Sequence, residues 1–121
     1  LILVDTSVWV DHFRSPKREM EQAARDGLVL HPYCFVEVCL GSMHDRRQTM
    51  ALLRALPWLM PLRQSEIVHM LEQDSLFSTG LNFVDLHQLA SARVTADCKI
   101  WTRDKRLRAV AERFGVAAEL N

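Results

Sequence analysis

Apolar residues fall along this chain in short runs separated by amphipathic stretches. The opening run, LILV followed by Asp5, is continuously apolar and predicts a strand buried on both faces over residues 1–5. LVLH at 28–31, closed by Pro32, repeats the pattern, as does KIWT at 99–102. VAAEL after Gly115 predicts a short last strand. Between these runs the period lengthens. SVWVDHFR predicts a helix with Thr6 or Ser7 as its cap. Ser15-Pro16 reads as the N-cap and first position of a second helix, filled by KREMEQAARD and ended by Gly27. Residues 33–44 and 46–56 predict two more, the latter ended by Pro57, while 58–64 carries no clear pattern. Ser65 reads as the cap of a helix that presents Ile67, Met70 and Leu71 and ends near Gly80. Residues 84–95 turn Leu86, Leu89, Ala90 and Ala92 inward. Residues 105–114 place Leu107, Val110, Ala111 and Phe114 at i, i+3, i+4 and i+7.

Strands interleaved with helices predict a parallel sheet with helices on both faces, a three-layer α/β/α sandwich. The chain has 121 residues, the size of a single domain, with no repeat or linker. Such sheets hold their sites beyond the carboxyl ends of the strands. Asp5 ends the first strand and Asp104 lies just past the third, so topology alone brings two carboxylates to one sheet edge.

Charge changes the picture little: 15 basic residues balance 15 acidic ones. A neutral chain does not coat nucleic acid nonspecifically, yet it can still engage a few phosphates. Three cysteines without framework spacing read as reduced thiols. No run reaches the roughly 20 apolar residues of a membrane span, and no signal-cleavage pattern is present, so the expectation is a cytoplasmic protein with no membrane partner. The five histidines show no ligand spacing, and the tryptophans read as packing residues. Met43, Met50, Met60 and Met70, with Leu52, Leu53 and Leu56, make the middle helices apolar; core packing takes part of this surface, and any exposed remainder would form a protein-binding patch.

Two further acids stand in apolar surroundings: Glu37 inside FVEVCL and Asp85 inside FVDLHQLA. Buried charges need a partner or a cation. Two like charges about 4 Å apart repel by ~4 kcal/mol at an effective dielectric of about 20. Asp5, Glu37, Asp85 and Asp104 in one cleft would therefore call for a hard cation, Mg²⁺ or Mn²⁺, able to activate water for displacement at phosphorus. Each acid also has a plain structural reading. Asp5, Asp85 and Asp104 could cap the helices that follow them; Glu37 has no such role.

The segments ILVDTSVWVDHFR, FVEV, DLHQLASA and IWTRDKRL, in this order, resemble the PIN-domain nucleases, and within them the VapC-type toxins of bacterial toxin–antitoxin pairs. The resemblance covers almost the whole chain. It implies the α/β/α fold, metal-dependent cleavage of RNA, homodimers and a cognate antitoxin. The family's four acids fall on Asp5, Glu37, Asp85 and Asp104, and its supporting hydroxyls on Thr6 or Ser7 and on Thr102. Some members carry another acid shortly after the fourth; here Lys105 and Arg106 stand instead, which leaves a second metal position in doubt. Arg14, Arg103, Lys105 and Arg106 are candidate phosphate contacts. Rival readings are a haloacid-dehalogenase-type phosphatase, which would want an acid where Ser7 stands, a receiver-like module, and a PIN fold without catalysis.

Overall fold

The computed structural model describes residues 1–121. Three parallel strands form the sheet: β1 (Ile2–Val4), β2 (Leu28–Val29) and β3 (Lys99–Trp101), in the order β2-β1-β3. The central strand pairs Leu3 with Val29 on one side and with Ile100 on the other. Single parallel bridges extend the sheet at both edges, Leu30 with Trp58 and Ile100 with Ala117.

Seven helices cover the sheet: α1 (Thr6–Arg14), α2 (Arg18–Asp26), α3 (Pro32–Leu40), α4 (Arg46–Arg54), α5 (Gln64–Gln73), α6 (Phe83–Val94) and α7 (Lys105–Arg113). The alternation of strand side chains assigns them to layers. Ile2, Val4, Leu30 and Trp101 pack with Val8 and Trp9 of α1, Met20 of α2, Phe35 of α3 and Leu53 of α4. Leu3, Val29 and Ile100 face the other way, against Leu89 of α6 and Leu107 and Val110 of α7, with Met70 of α5 at the margin. The result is the three-layer α/β/α sandwich that the sequence pattern predicts.

Helix boundaries depart from the expectations for local reasons. Asp5, not Thr6 or Ser7, is the N-cap of α1. Ser15 is the C-cap of α1, donating its backbone N–H to the Asp11 carbonyl, and α2 starts only at Arg18 with Lys17 at its N-cap position and no side-chain cap. Pro32 opens α3 rather than closing a strand, and His31 caps that helix by accepting the Tyr33 N–H at its Nδ1. Gly41 stops α3 short of residue 44. Ser65 lies inside α5, whose N-cap is Arg63. That helix ends at Gln73, well before Gly80. There Ser75 takes a left-handed conformation and Leu76 turns back into the core. VAAEL contributes one bridge rather than a strand.

Candidate active site

β1 delivers Asp5 to the carboxyl edge of the sheet, and the chain turns there into α1. Asp5 is 5% exposed and both its oxygens are engaged. Its Oδ2 accepts from Ser7 Oγ at 2.6 Å and from Thr102 Oγ1 at 2.8 Å. Its Oδ1 accepts from Gln88 Nε2 at 2.8 Å. The two hydroxyls are oriented from behind. Ser7 Oγ accepts the Arg103 N–H at 3.0 Å, and Thr102 Oγ1 accepts the Asp104 N–H at 3.0 Å. The β3–α7 turn thus aims both hydroxyl protons at Asp5.

Glu37 projects from α3, where Thr6 Oγ1 donates to its Oε1 at 2.7 Å. It is less enclosed than its apolar neighbours suggest, because Val36 and Leu40 face solvent. Thr6 Oγ1 also lies 3.2 Å from the buried Cys34 Sγ, whose thiol is pushed up to about 12, first by burial. At that value the thiol stays protonated and is a packing group, not a nucleophile.

Asp85 sits on the first turn of α6 in a reciprocal capping box. Its Oδ2 accepts the Asn82 N–H at 3.1 Å, and its own N–H donates to Asn82 Oδ1 at 2.8 Å. Burial raises its carboxyl from 3.8 to about 6. The Asn82 N–H opposes the rise, and the charges of Asp5, Asp104 and Glu37 add to it. That joint repulsion is the sign that the four acids share one neighbourhood. Asp104 is exposed and caps α7, its Oδ1 accepting from the Arg106 and Leu107 N–H groups at 2.9 and 3.0 Å.

Capping and chemistry coexist here. The caps fix Asp85 and Asp104 through one oxygen each, and the other oxygen of each makes no hydrogen bond. Glu37 likewise keeps Oε2 free. The three ion pairs of the chain, Arg93–Asp74, Arg103–Asp11 and Arg108–Glu112, all lie elsewhere. Four carboxyl groups of one sign, hard oxygen donors and no basic side chain among them fit a divalent cation in charge and in donor type. As they stand, no three of them converge to ligating distance.

The candidate phosphate contacts divide. Arg103 is spent on Asp11, at 3.3 Å, and lies over the Trp101 ring. Arg14 ends α1, about 13 Å of helix away from Asp5. Lys105 and Arg106 are exposed on the first turn of α7, next to Asp104. The Arg106 side chain lies across Gly80, where a Cβ would come within 2.8 Å of its Cδ.

Gln88 is the residue that sequence reasoning missed. It is fully buried, and its Oε1 has no partner. Its signal was present: it lies three residues after Asp85, on the same helix face, as a polar break among inward apolar positions. His87 is buried, with Nε2 3.1 Å from Gln64 Oε1.

A parallel α/β sandwich with carboxylates gathered at the carboxyl edge of its central strand defines a class of acid-cluster domain. The chain belongs to the PIN domain family, whose pattern matches residues 2–113. Ribonuclease VapC32 of Mycobacterium tuberculosis, in two strains, is 36% identical over 118 residues, spanning 97% of this chain and 95% of that protein. The crystal structure of PAE2754 from Pyrobaculum aerophilum superposes over 94% of both chains with a TM-score of 0.62 at 14% identity, a likeness of fold. Family membership leaves the phosphatase and receiver readings without support.

Proposed function

We propose that this chain is a single-domain, magnesium-dependent endoribonuclease, the toxin of a type II toxin–antitoxin pair. The observation that carries the reading is that Asp5, Glu37 and Asp104 all lie near enough to add to the rise of the half-buried Asp85 carboxyl, while none of the four acids is ion-paired to a basic side chain. Resemblance to a named ribonuclease over nearly the whole length supports RNA as the substrate. Asp5, Glu37, Asp85 and Asp104 would hold the ion, Mg²⁺ or Mn²⁺, directly or through water. When bound, such an ion supplies charge stabilisation and a more acidic water for displacement at phosphorus.

The chain's own groups do the rest. Ser7, Thr102 and Gln88 fix the Asp5 carboxylate in one orientation. Thr6 does the same for Glu37. Asp104 would complete the cluster or orient the attacking water. Lys105 and Arg106 offer charge to the RNA backbone on the α7 side of the cluster. A cognate antitoxin and a second copy of the chain are the proposed protein partners. Exposed Leu40, Leu52 and Met60 give apolar surface for them. No helix is long and apolar enough to cross a membrane, in keeping with a cytoplasmic place of action.

Purified protein is expected to cut single-stranded or looped RNA in Mg²⁺ and to stop in EDTA; equal cutting in EDTA would refute metal dependence. The competing reading, a PIN fold without catalysis, draws on the spacing of the acids and predicts no Mg²⁺-dependent product from any RNA. Gln88→Leu keeps the shape of the buried site but removes the donor to Asp5 Oδ1. It is expected to lower kcat/KM by about 10- to 100-fold, the usual cost of losing an outer-shell partner. Unchanged cutting by a folded Q88L protein would mean that Gln88 only fills space.

A further inference from the structure

Helices α3 and α6, which carry Glu37 and Asp85, also carry a pair of stacked rings. Tyr33 and Phe83 lie with centroids 5.7 Å apart and planes 19° from parallel. His87 meets both rings edge-on at 4.6 Å, and His31 closes against Tyr33 at 5.1 Å. The two imidazoles are buried and form a rigid support under the pair, yet Phe83 keeps 51% of its surface exposed. Core packing does not account for it, since neither hydrophobic cluster contains it.

Its position does suggest a role. Tyr33 is one turn before Glu37 on the same face of α3, about 6 Å of helix rise away. Phe83 is the first residue of α6 and Asp85 stands two residues on in the same first turn, so the ring leaves the helix beside the carboxylate's face rather than on it. The other exposed aromatics lack this context: Phe13 stacks on Trp9 near the far end of α1, Trp58 is tilted against Phe35, and Phe77 stacks on no ring. Lys105 and Arg106 are exposed on the first turn of α7 beside Asp104, and the Arg106 side chain lies against Gly80, three residues before Phe83. An exposed ring with positive charge nearby is the combination that binds single-stranded nucleic acid, bases on rings and phosphates on cations.

We propose that Phe83, backed by Tyr33 and His87, is a base-stacking subsite for an unpaired nucleotide flanking the scissile bond, with the strand continuing toward Lys105 and Arg106. The proposal deepens the ribonuclease reading and rests on it for the identity of the ligand. The subsite fits an unstacked nucleobase of single-stranded or loop RNA. It takes any base, because every base has a π-face, so it sets the requirement for a flipped-out nucleotide rather than for a sequence.

The test uses the whole chain with Phe83→Leu, which keeps apolar cover at the start of α6 but removes the ring, and Phe83→Trp, which keeps a ring. Substrates are short RNAs with an abasic nucleotide or 2-aminopurine at each position in turn. Expected for F83L is a KM raised about tenfold with kcat unchanged, rescued by F83W. With the critical nucleotide abasic, wild type and F83L should become equal. Binding is read separately, without cleavage, as quenching of 2-aminopurine by wild type and F83W but not by F83L. Wild-type protein that cuts RNA with the same KM as F83L would overturn the subsite while leaving the ribonuclease reading intact. An F83L protein of altered oligomeric mass but unaltered RNA kinetics would also overturn it, assigning the ring to a protein interface. If wild type cuts no RNA, the ribonuclease reading fails, and the quenching alone decides whether the rings bind a base.

Discussion

Asp5→Asn is expected to lower RNA cleavage by on the order of 10³-fold while leaving the fold intact. The second half of that expectation comes from the hydrogen bonds around the residue. Asp5 receives donors only: Ser7 Oγ, Thr102 Oγ1, Gln88 Nε2 and, at 3.4 Å, the Ser7 N–H. An Asn amide would bring two N–H groups into this ring of donors. The ring can absorb them. Gln88 has an unpartnered Oε1, so rotating its amide turns it into an acceptor. The Asn oxygen then stays toward Ser7 and Thr102, where the two hydroxyls and the Ser7 N–H keep their acceptor. The substitution therefore removes the charge without leaving a buried clash, and it relieves the repulsion that Asp5 exerts on Asp85. Single-turnover cleavage of a labelled RNA measures the first half, and a melt monitored by circular dichroism measures the second. D5N protein that is folded and cuts as fast as wild type would sink the assignment of Asp5. A D5N protein that fails to fold would instead show that the ring cannot rearrange. In that case Glu37→Gln, on a half-buried residue with one oxygen free, carries the same test.

How much of this site was legible in the sequence depends on the kind of constraint. Asp5 and Asp104 follow from strand position: a buried LILV run must end where the chain turns, and parallel strands end on the same edge. The cluster of Leu3, Val29 and Ile100 on one face and Ile2, Val4 and Trp101 on the other follows from the same runs. Gln88 was legible only as a polar break three residues after Asp85; its partner Asp5 lies 83 residues away in sequence and is supplied by the packing of its helix. The helix ends were obscured by competition for single groups. Ser15 has every mark of an N-cap but closes the preceding helix. Pro32 reads equally well as a strand stop or a helix start, and the imidazole of His31 decides it by accepting the Tyr33 N–H. Trp58 fell in a stretch without periodicity because its one bridge to Leu30 is a backbone contact that no side-chain pattern records. The rings of Tyr33 and Phe83 are 50 residues apart and meet only because α3 and α6 pack together. Local pattern reports the frame, and long-range side-chain contacts complete the site.

The second large effect concerns stability. Asp85→Asn is expected to stabilise the metal-free protein above about pH 6 and to do nothing below pH 4. The sign follows from linkage. Burial and three neighbouring carboxylates hold the folded-state value of Asp85 at about 6, above its ordinary 3.8. Between those values the folded state keeps a proton that the unfolded chain has lost, so this group makes stability fall as pH rises, and the loss is complete above about 6. The full shift would correspond to about 3 kcal/mol. Solvent reaches this half-exposed carboxyl, which reduces the effect to about 1–2 kcal/mol, or a Tm difference of about 5 °C. Asn at position 85 keeps an oxygen for the Asn82 N–H, so the capping box survives and only the charge is lost. His31 works in the opposite direction: burial holds it neutral down to about 4, so its contribution is lost as pH falls below the ordinary imidazole range. Wild-type stability alone mixes the two trends. The informative quantity is the Tm of D85N minus that of wild type, in EDTA, across pH 4 to 8. It should rise through about pH 5 to 6 and then level off. Adding Mg²⁺ at neutral pH should raise the wild-type Tm and narrow the gap, since a cation that binds only the folded cluster offsets the same repulsion. A difference that stays flat with pH would mean that Asp85 is not held above its ordinary value, and an EDTA gap that Mg²⁺ leaves unchanged would mean that no cation offsets the charge of the four acids.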